Sequence, residues 1–530
     1  MKALQSCDFM QAGEDGAVDE KGELLPVLSK SATRMKYDKL IKAPLPQFSG
    51  EMPGSYFWTN FAYFLLRKIL IGQFKSFECS GINNIPSDRG SLCAAWHTNG
   101  LLDPISIMVN HPKKFVIGGR HDLATRPLLG FWARKLAMQP VVRKAELLRG
   151  GCTEEQASAL NGRTLLNLAT GVSYGFGCVL FPEGTSHSES HLIRLRTGPS
   201  RTVLAAAALA KHQQKQLPVI IPVGLHYRTR HFFRTDAWIE FSEPISLDEI
   251  PLPEDLMEAV ASTKWAEPPA GLVTELRDKI GERLQPLTPN SQTWDEYRMF
   301  QLLGQIKSRL NGEPPKSWKQ EVILTREMQQ VDHDEEILES SKSLAKSMHE
   351  AHLDGRDLNP QGDQLRGFST KSSVKNIGLS VLSLLFLPIF AWCFGIQVTL
   401  GRILGDRTDE GLDARTSYQF LAALFGSMII WPIQSLLLIL GLIFFDGQIA
   451  SQVGLDTLNF LGDTTLQWMS YALILIPITF VLFYVSSRTT LWIWDSFVDF
   501  RQFLRRRKAL SLNEKITMLN NLMQRSGRYL

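Results

Sequence analysis

The chain has 530 residues, in which 57 lysines and arginines nearly balance 53 aspartates and glutamates. This balance says little about partners, and nucleic acid is not among those we expect. The six cysteines are scattered without a Cys-x-x-Cys pair, so the sequence indicates neither a zinc site nor a disulfide framework. The length predicts more than one structural unit, and the cysteine usage favours a reducing compartment.

The first 50 residues lack the apolar core of a signal peptide and are rich in glycine and charged side chains, so we predict a disordered leader. An aromatic and apolar run follows from Tyr56 to Phe77. Arg67 and Lys68 interrupt this run after eleven residues, whereas a helix that spans the bilayer needs about 20. The pattern predicts either a helix lying in the membrane interface or an ordinary amphipathic core helix.

Short apolar runs alternate with helical patterns from Phe77 to Ile250. The predicted strands are Ser91–Trp96, Lys114–Gly118, Gln139–Arg143, Gly177–Phe181, Leu217–Leu225 and Ala237–Phe241. The predicted helices are Pro104–Asn110, Pro127–Ala137, Glu154–Ala169 and Ser200–Lys211. This alternation predicts an α/β fold around a mostly parallel sheet.

The turn after the strand Ser91–Trp96 contains both a histidine and a carboxylate. Asn99-Gly100 strongly favours a turn, so His97 is expected at an exposed strand end with Asp103 just beyond it. A histidine that takes a proton from an alcohol needs such a carboxylate, which fixes its tautomer and stabilises the imidazolium that forms. The alternative for this stretch alone is a loop histidine beside a helix-capping aspartate.

A basic segment between residues 111 and 150 has nine lysines and arginines against two carboxylates. The cations are Lys113, Lys114, Arg120, Arg126, Arg134, Lys135, Arg143, Lys144 and Arg149. Such a surface suits anionic lipid or a phosphorylated substrate, or it is a solvated face with its partners elsewhere. Arg143 ends its predicted strand, where a guanidinium can hold a phosphate through two hydrogen bonds.

Two further strands end in residues that suit a binding site. An apolar strand from Cys178 leads into the turn Pro182-Glu183-Gly184-Thr185. Glu183 and Thr185 are therefore expected at the edge of the sheet where α/β proteins bind ligands. The strand Leu217–Leu225 contains two prolines, one of them Pro222, which predicts a position near a sheet edge or a site rim.

These four blocks, in this order, resemble the glycerolphosphate acyltransferase family, which acylates glycerol 3-phosphate or its 1-acyl derivative. The resemblance extends from about residue 54 to residue 250. It implies that His97 is the general base on the acceptor hydroxyl and that Asp103 orients it. It also implies acyl-CoA or acyl-carrier protein as co-substrate, with no other cofactor and no metal. The residues that it assigns to substrate binding are Arg143, Glu183, Gly184, Thr185 and Pro222.

The chain departs from the family's pattern in one respect. Five residues, Thr98–Leu102, separate His97 from Asp103, where four are usual. The longer spacing, with His187 after the Glu-Gly turn, resembles a subgroup similar to the fungal glycerol-3-phosphate/dihydroxyacetone-phosphate acyltransferases and bacterial relatives. That subgroup points to unacylated acceptors. The Glu-Gly-Thr motif is commoner in enzymes acting on 1-acylglycerol 3-phosphate, which we slightly prefer as the acceptor.

The last part of the chain is expected to be a helical appendage followed by a membrane region. The appendage has three long amphipathic runs, Leu272–Leu284, Asp295–Leu310 and Trp318–Met348. Three later runs are apolar with almost no charge, Ile377–Leu400, Phe420–Phe445 and Trp468–Val485. As helices they are about 27–39 Å long, against a hydrocarbon core of ~30 Å.

The charges between the apolar runs predict an orientation. The loop Asp446–Gln467 has neither lysine nor arginine, whereas residues 402–415 and the tail after Arg488 contain several arginines. Positive charge stays on the cytoplasmic side, so the second and third runs form a hairpin with that loop outside. The first run, with Pro388 at its middle, is then a re-entrant or monotopic piece. We expect the catalytic domain on the cytoplasmic side, with a bacterial inner membrane favoured over the endoplasmic reticulum.

The sequence therefore predicts five regions. They are a leader (1–50), an acyltransferase domain with an N-terminal interfacial helix (51–250), a helical appendage (251–370), a membrane region (371–490) and a basic cytoplasmic tail (491–530). The predicted activity is membrane-bound O-acyl transfer to a glycerol phosphate acceptor in phospholipid synthesis, with membrane lipid as a partner. One alternative is a non-catalytic lipid-binding or scaffold protein. Another is a serine hydrolase using Ser186 or Ser188, but neither lies in a Gly-x-Ser-x-Gly elbow.

Overall fold

The computed structural model describes residues 35–143, 146–147, 152–367, 370–407, 412–441 and 465–529. Most of the predicted leader, Lys144, Arg149 and most of the predicted outer loop lie outside these residues. The described chain divides into two compact units. The first contains the residues up to Leu365 together with 412–417 and 511–529, and the second contains 366–407 and 418–510.

The first unit is built around eight β-strands. They are β1 (Phe74–Ser80), β2 (Ser91–Ala95), β3 (Phe115–Val116), β4 (Gly118–Arg120), β5 (Gln139–Val141), β6 (Gly177–Leu180), β7 (Val219–Tyr227) and β8 (Thr235–Phe241). Six of them form one sheet in the order β1-β8-β7-β2-β6-β3, and β4 pairs with β5 in a second, two-stranded sheet. Only β7 and β8 run antiparallel among these pairs. The predicted α/β fold around a mostly parallel sheet is confirmed.

Helices cover the larger sheet because its central strands are apolar on both faces. Every residue of β2 is buried, as is typical of a parallel strand covered on both sides. The helices up to this point in the chain are α1 (Tyr37–Leu40), α2 (Tyr56–Gln73), α3 (Leu102–Asn110), α4 (His121–Thr125), α5 (Pro127–Lys135), α6 (Glu154–Ser173) and α7 (Gly198–His212). Apolar residues of α7 such as Val203, Leu204 and Ala207 pack against β2 and β7. This packing fixes the strand ends that form the site.

Two sequence-based expectations about this sheet are wrong. The run Tyr56–Phe77 is not one element: α2 ends at Gln73, and the chain continues as the edge strand β1, which pairs with β8. Of the two positions predicted for Pro222, the sheet edge is wrong, since β7 is flanked by β8 and β2, whereas a site rim stays a prediction. The proline is tolerated there because the ladder to β8 begins only at Val223, so β8 does not need an N–H from residue 222.

The helical appendage belongs to the same compact unit as the sheet. Its helices are α8 (Glu254–Ala261), α9 (Ala270–Leu284), α10 (Trp294–Leu310), α11 (Trp318–Gln330) and α12 (Glu335–Glu350). The predicted run Trp318–Met348 is therefore two helices. Contacts with β7 and β8 fasten α11 to the sheet: Trp318 Nε1 donates to the His226 carbonyl at 3.0 Å, and Arg326 pairs with Glu240 at 2.8 Å.

The second unit consists of long apolar helices. They are α13 (Thr370–Asp406), α14 (Leu412–Phe425) and α15 (Thr465–Lys508). The first residues of α14 belong to the first unit, and the helix continues through a π-helical turn to residue 441. Within the described ranges, three segments are long and apolar enough to cross a membrane: Leu385–Asp406, Ala414–Gly441 and Ala472–Lys508. The helix α13 continues through Pro388.

The end of the chain returns to the first unit. Helix α16 (Leu512–Ser526) follows α15 and packs on the appendage. Asn513 Oδ1 accepts a hydrogen bond from the Leu365 backbone N–H at 2.9 Å, and Thr517 Oγ1 donates to the Asp363 carbonyl at 2.8 Å. The predicted basic tail therefore contains the end of one helix and all of another.

Candidate active site

The site forms where two adjacent parallel strands end. Ala94 of β2 is paired with Leu180 of β6, so the residues that follow these strands meet at one edge of the sheet. The His97 backbone N–H donates to Glu183 Oε2 at 2.8 Å, and the His187 N–H donates to the His97 carbonyl at 3.0 Å. These two bonds join the turn after β2 to the turn after β6.

The imidazole of His97 is bound to the carboxylate of Asp103. The Nδ1 and Oδ2 atoms are 2.9 Å apart, and the same oxygen accepts from the backbone N–H groups of Thr98 and Asn99 at 2.7 Å each. Because the carboxylate accepts, Nδ1 must hold the ring proton, which leaves Nε2 as the basic nitrogen. Nε2 makes no hydrogen bond to any residue that the structure describes, while the side chain of His97 is 16 % exposed and that of Asp103 is fully buried.

The five-residue spacing does not separate the two side chains. Asp103 lies in the first turn of α3, and the Asn99 carbonyl accepts from Leu102 N–H at 2.8 Å and from Asp103 N–H at 3.2 Å. The additional residue is therefore taken up in the turn that starts the helix. The ring of Phe181 stacks on the imidazole of His97, with centroids 3.9 Å apart and planes 13° apart, so the rotation of the ring is restricted.

The carboxylate of Glu183 is buried and its two oxygens both accept hydrogen bonds from the protein. Oε2 accepts from His97 N–H, and Oε1 accepts from His187 Nε2 at 2.8 Å and from Ile193 N–H at 3.1 Å. This is the geometry of a group that positions the turn. The predicted contact between Glu183 and the acceptor stays a prediction.

The next two residues of the turn have different surroundings. Gly184 has φ +73°, a left-handed conformation that glycine adopts without strain, and a Cβ there would lie 3.4 Å from Arg196 Cγ. Thr185 Oγ1 donates to the Ser186 carbonyl at 3.4 Å. Glycine at 184 is thus explained by the backbone of the turn, and the predicted substrate contacts of Gly184 and Thr185 remain predictions, as does that of Pro222.

Arg143 lies next to the other sheet, two residues beyond the end of β5 and not at the strand end as predicted. It follows β5, its Nε donates to Glu146 Oε1 at 2.9 Å, and its backbone N–H donates to Glu146 Oε2 at 2.5 Å. Within the basic segment, Arg120 and Arg126 both pair with Asp122, at 3.0 and 2.8 Å. The two acidic side chains of the segment are thus bound by its own arginines. The structure brings His97, Asp103 and Glu183 together, and it places Arg143 beside Glu146.

Several residues around the turn were not found by sequence reasoning. Arg230 Nη1 donates to the Thr98 carbonyl at 3.0 Å and also to the His187 carbonyl, and Asn99 Nδ2 donates to the Arg230 carbonyl at 3.0 Å. Arg230 follows β7, which is parallel to β2 and adjacent to it, so strand order could have predicted its position. The sequence around Arg230 does not by itself predict this position.

A partly buried tyrosine lies behind the His97–Asp103 pair. The hydroxyl of Tyr227 interacts with Asp103 and Ser106; burial, followed by the negative charge of Asp103, raises the pKa of Tyr227 well above its usual value. Asp103 Oδ1, Ser106 Oγ and Tyr227 Oη are all buried, and none of them has a hydrogen bond of ordinary geometry within the described structure.

A segment far along the chain also contacts the turn. Thr416 Oγ1 donates to Asn99 Oδ1 at 2.9 Å, and the Leu101 backbone N–H donates to Ser417 Oγ at 2.9 Å. More than 300 residues separate these partners in sequence, and no motif predicts the contact.

Comparison with known proteins agrees with this geometry. Residues 76–226 match the family model described as Acyltransferase, and this range contains His97, Asp103, Arg143, Glu183 and Pro222. The segment is therefore an acyltransferase domain. The family resemblance inferred from the four blocks is confirmed.

Relatives of the acyltransferase domain include three yeast proteins. Glycerol-3-phosphate O-acyltransferase 2 of Saccharomyces cerevisiae is 28% identical over 157 residues, 29% of this chain and 19% of that protein. Glycerol-3-phosphate O-acyltransferase 1 of the same yeast is 32% identical over 127 residues, 24% of this chain and 15% of that protein. An uncharacterized acyltransferase of Schizosaccharomyces pombe is 30% identical over 101 residues, 19% of this chain and 14% of that protein. The chain thus spans less than a fifth of the length of these relatives.

Among solved structures, the 1-acyl-sn-glycerophosphate acyltransferase of Thermotoga maritima is similar to the chain at 17% identity with a TM-score of 0.27. The match covers 42% of this chain and 87% of that one.

Proposed function

We propose that the chain transfers a fatty acyl group from an acyl thioester to a hydroxyl of a glycerol phosphate acceptor. The observation that supports this most directly is the His97–Asp103 pair, in which Nδ1 is held at 2.9 Å by a buried carboxylate and Nε2 is left as a base. This is the arrangement that a proton transfer from an alcohol requires. The acyltransferase domain supplies the reaction class.

The reaction follows from that pair. Nε2 of His97 takes the proton of the acceptor hydroxyl while the hydroxyl oxygen bonds to the thioester carbonyl carbon. The tetrahedral intermediate then loses its carbon–sulfur bond, and the departing thiolate takes the proton from the imidazolium. Asp103 stabilises the imidazolium between these steps. The products are an ester and a free thiol, without a covalent acyl-enzyme, and the step requires no metal or further cofactor.

The acceptor is proposed to be glycerol 3-phosphate, in place of the 1-acylglycerol 3-phosphate that the sequence alone slightly favoured. The two Saccharomyces relatives are named for it, and the longer His–Asp spacing resembles a subgroup with unacylated acceptors. The Glu-Gly-Thr motif favours 1-acylglycerol 3-phosphate instead. Arg143 and the Glu183 turn are proposed to hold the acceptor phosphate, and for Arg143 this requires that the phosphate displace Glu146 or share the guanidinium with it.

A membrane assay tests this function and separates the two acceptors. Washed membranes containing the full chain are incubated with labelled acyl-CoA or acyl-carrier protein and with each acceptor in turn. We expect labelled 1-acylglycerol 3-phosphate from glycerol 3-phosphate; labelled phosphatidic acid only from the acylated acceptor would reverse our choice. Fatty acid released without any acceptor would favour the serine hydrolase. No acceptor-dependent product with either donor would favour the scaffold.

The membrane association of the chain is supported by its three apolar helical segments. In addition, α2 exposes Tyr56, Phe57, Phe64 and Ile71, and Lys68 lies 5.6 Å above the ring of Phe64. Exposed aromatic side chains beside a lysine suit the headgroup region of a bilayer, so we propose that α2 lies in the interface.

The catalytic domain is proposed to lie on the cytoplasmic side with residues 402–415. The contact of Thr416 with Asn99 supports a shared side for the two, because groups in contact lie on one side of a membrane. Single cysteines introduced into a background depleted of native thiols test it in intact cells. An impermeant thiol reagent should label Ser451→Cys and spare Asp413→Cys and Ser511→Cys. Labelling of Asp413→Cys with Ser451→Cys unlabelled would contradict the hairpin.

A further inference from the structure

Two hydroxyl side chains at the start of α14 form hydrogen bonds with the turn that contains the catalytic histidine. Thr416 and Asn99 are both fully buried, and the side-chain bond between them is 2.9 Å long. The next residue, Ser417, accepts from the Leu101 backbone N–H, also at 2.9 Å. Both contacts lie within the first compact unit.

These two bonds act on the groups that hold the catalytic pair. Asn99 provides one of the two backbone N–H groups that bind Asp103 Oδ2, and its carbonyl accepts from the first turn of α3. Its side chain is held on one side by Thr416 and on the other by the Arg230 carbonyl. If Thr416 were lost, Asn99 Oδ1 would be buried without a donor, and the turn would shift to satisfy it.

We propose that Thr416 and Ser417 are positioning residues for the His97–Asp103 pair. They touch no reacting atom, and they act through Asn99 and Leu101 on the orientation of the imidazole. The segment that begins α14 is thus part of the catalytic apparatus as well as the start of an apolar helix. This inference rests on the proposed acyl transfer.

The hydroxyl of Thr416 is tested by a pair of substitutions in the full chain. Thr416→Val keeps the shape and removes the hydroxyl, whereas Thr416→Ser keeps the hydroxyl. We expect Thr416→Val to lower kcat by about twofold to tenfold, the rate equivalent of one neutral hydrogen bond. KM for the acceptor and for acyl-CoA should stay within about twofold, and Thr416→Ser should restore kcat. Ser417→Ala should lower kcat by a similar factor.

Controls separate positioning from general instability. Thr274→Val, on the exposed face of α9, should leave kcat and KM unchanged. All rates are normalised to the amount of enzyme that elutes as a folded species in detergent. Equal kcat for wild type and Thr416→Val would overturn the inference, as would an equal loss in Thr416→Ser and Thr416→Val, which would indicate packing alone.

A double-mutant cycle tests the route through Asn99. If Thr416 acts on the pair through Asn99, Asn99→Ala combined with Thr416→Val should be no slower than Asn99→Ala alone. A fully additive loss would overturn that route. Wild-type turnover is measured first: its absence with both acceptors overturns the proposed function, whereas turnover that Thr416→Val leaves unchanged overturns only the positioning role.

Discussion

The two ends of strand β2 each have a histidine, and the two histidines are built for different tasks. At the carboxyl end, His97 is partly exposed and its Nδ1 binds the Asp103 carboxylate. At the amino end, His111 Nε2 lies 2.9 Å from Ser91 Oγ, and its Nδ1 accepts from the Lys113 N–H at 3.1 Å. Burial lowers the pKa of His111 to about 4, so it is neutral at physiological pH.

The comparison shows that the partner of a histidine decides what it can do. His111 uses both ring nitrogens in uncharged hydrogen bonds, so neither is left to take a proton from a substrate. His97 uses one nitrogen on the Asp103 carboxylate, and the other stays available. The carboxyl ends of parallel strands are also where α/β proteins bind ligands.

The largest expected effect comes from replacing the carboxylate at the carboxyl end of β2. Asp103→Asn should lower kcat by about 10²–10⁴, because the neutral amide no longer supplies the negative charge that stabilises the His97 imidazolium during the reaction. The Thr98 and Asn99 N–H groups keep an acceptor in the amide oxygen, so the turn should persist. Steady-state kinetics of purified enzyme measure this. A variant with more than about a tenth of wild-type kcat would show that the carboxylate does not orient the base.

A smaller effect is expected away from β2 altogether, at the end of β5. Arg143→Ala should raise acceptor KM about tenfold to a hundredfold, the equivalent of one charge-assisted hydrogen bond, and leave kcat nearly unchanged. Arg277→Ala, which removes an arginine paired with Asp278 on α9, is the matched control. If Arg143→Ala leaves acceptor KM as it was, Arg143 has a structural role with Glu146.

Tyr227→Phe tests whether the tyrosine hydroxyl contributes to the site at the carboxyl end of β2. The substitution keeps the ring and removes the hydroxyl beside Asp103, so we expect kcat to fall about twofold to tenfold with acceptor KM unchanged. Tyr174→Phe, at an exposed tyrosine, should have no effect. Identical kcat in wild type and Tyr227→Phe would mean that the backbone N–H groups and His97 alone hold Asp103.

At the amino end of β2, the expected effect is on stability and not on turnover. His111→Gln keeps a donor for Ser91 and cannot titrate, so kcat at neutral pH should stay within about twofold of wild type. The pKa of His111 is near 4 in the folded protein and near 6.5 when unfolded, so the unfolded chain binds the additional proton between these values. This contribution to stability is complete above pH 6.5 and is lost as the pH falls toward 4.

Unfolding free energies of wild type and His111→Gln in detergent, measured from pH 7 to pH 4, test this. The wild type should lose roughly 3 kcal/mol more than the variant over the range. Parallel pH profiles for the two proteins would show that His111 is not the neutral, buried group described here.

The sequence alone predicted the helices and strands whose apolar residues recur with a clear period, and it predicted the site residues that lie in local motifs. The strand before His97, the Asn99-Gly100 turn and the turn after β6 all lie where their patterns predicted. It was not sufficient at Phe74, because an aromatic run suits a helix and a strand equally well, and only pairing with β8 makes it a strand. The contacts of Arg230 and Thr416 with the turn depend on tertiary packing, which no local pattern encodes.

The most direct test of the account is the turnover of His97→Ala in the membrane assay, with binding of the glycerol phosphate acceptor measured in parallel. Because His97 Nε2 is the proposed base and the phosphate is held elsewhere, turnover should fall by about 10²–10⁴ while acceptor binding changes little. A variant that retains more than about a tenth of wild-type turnover would remove His97 from the mechanism and contradict the account.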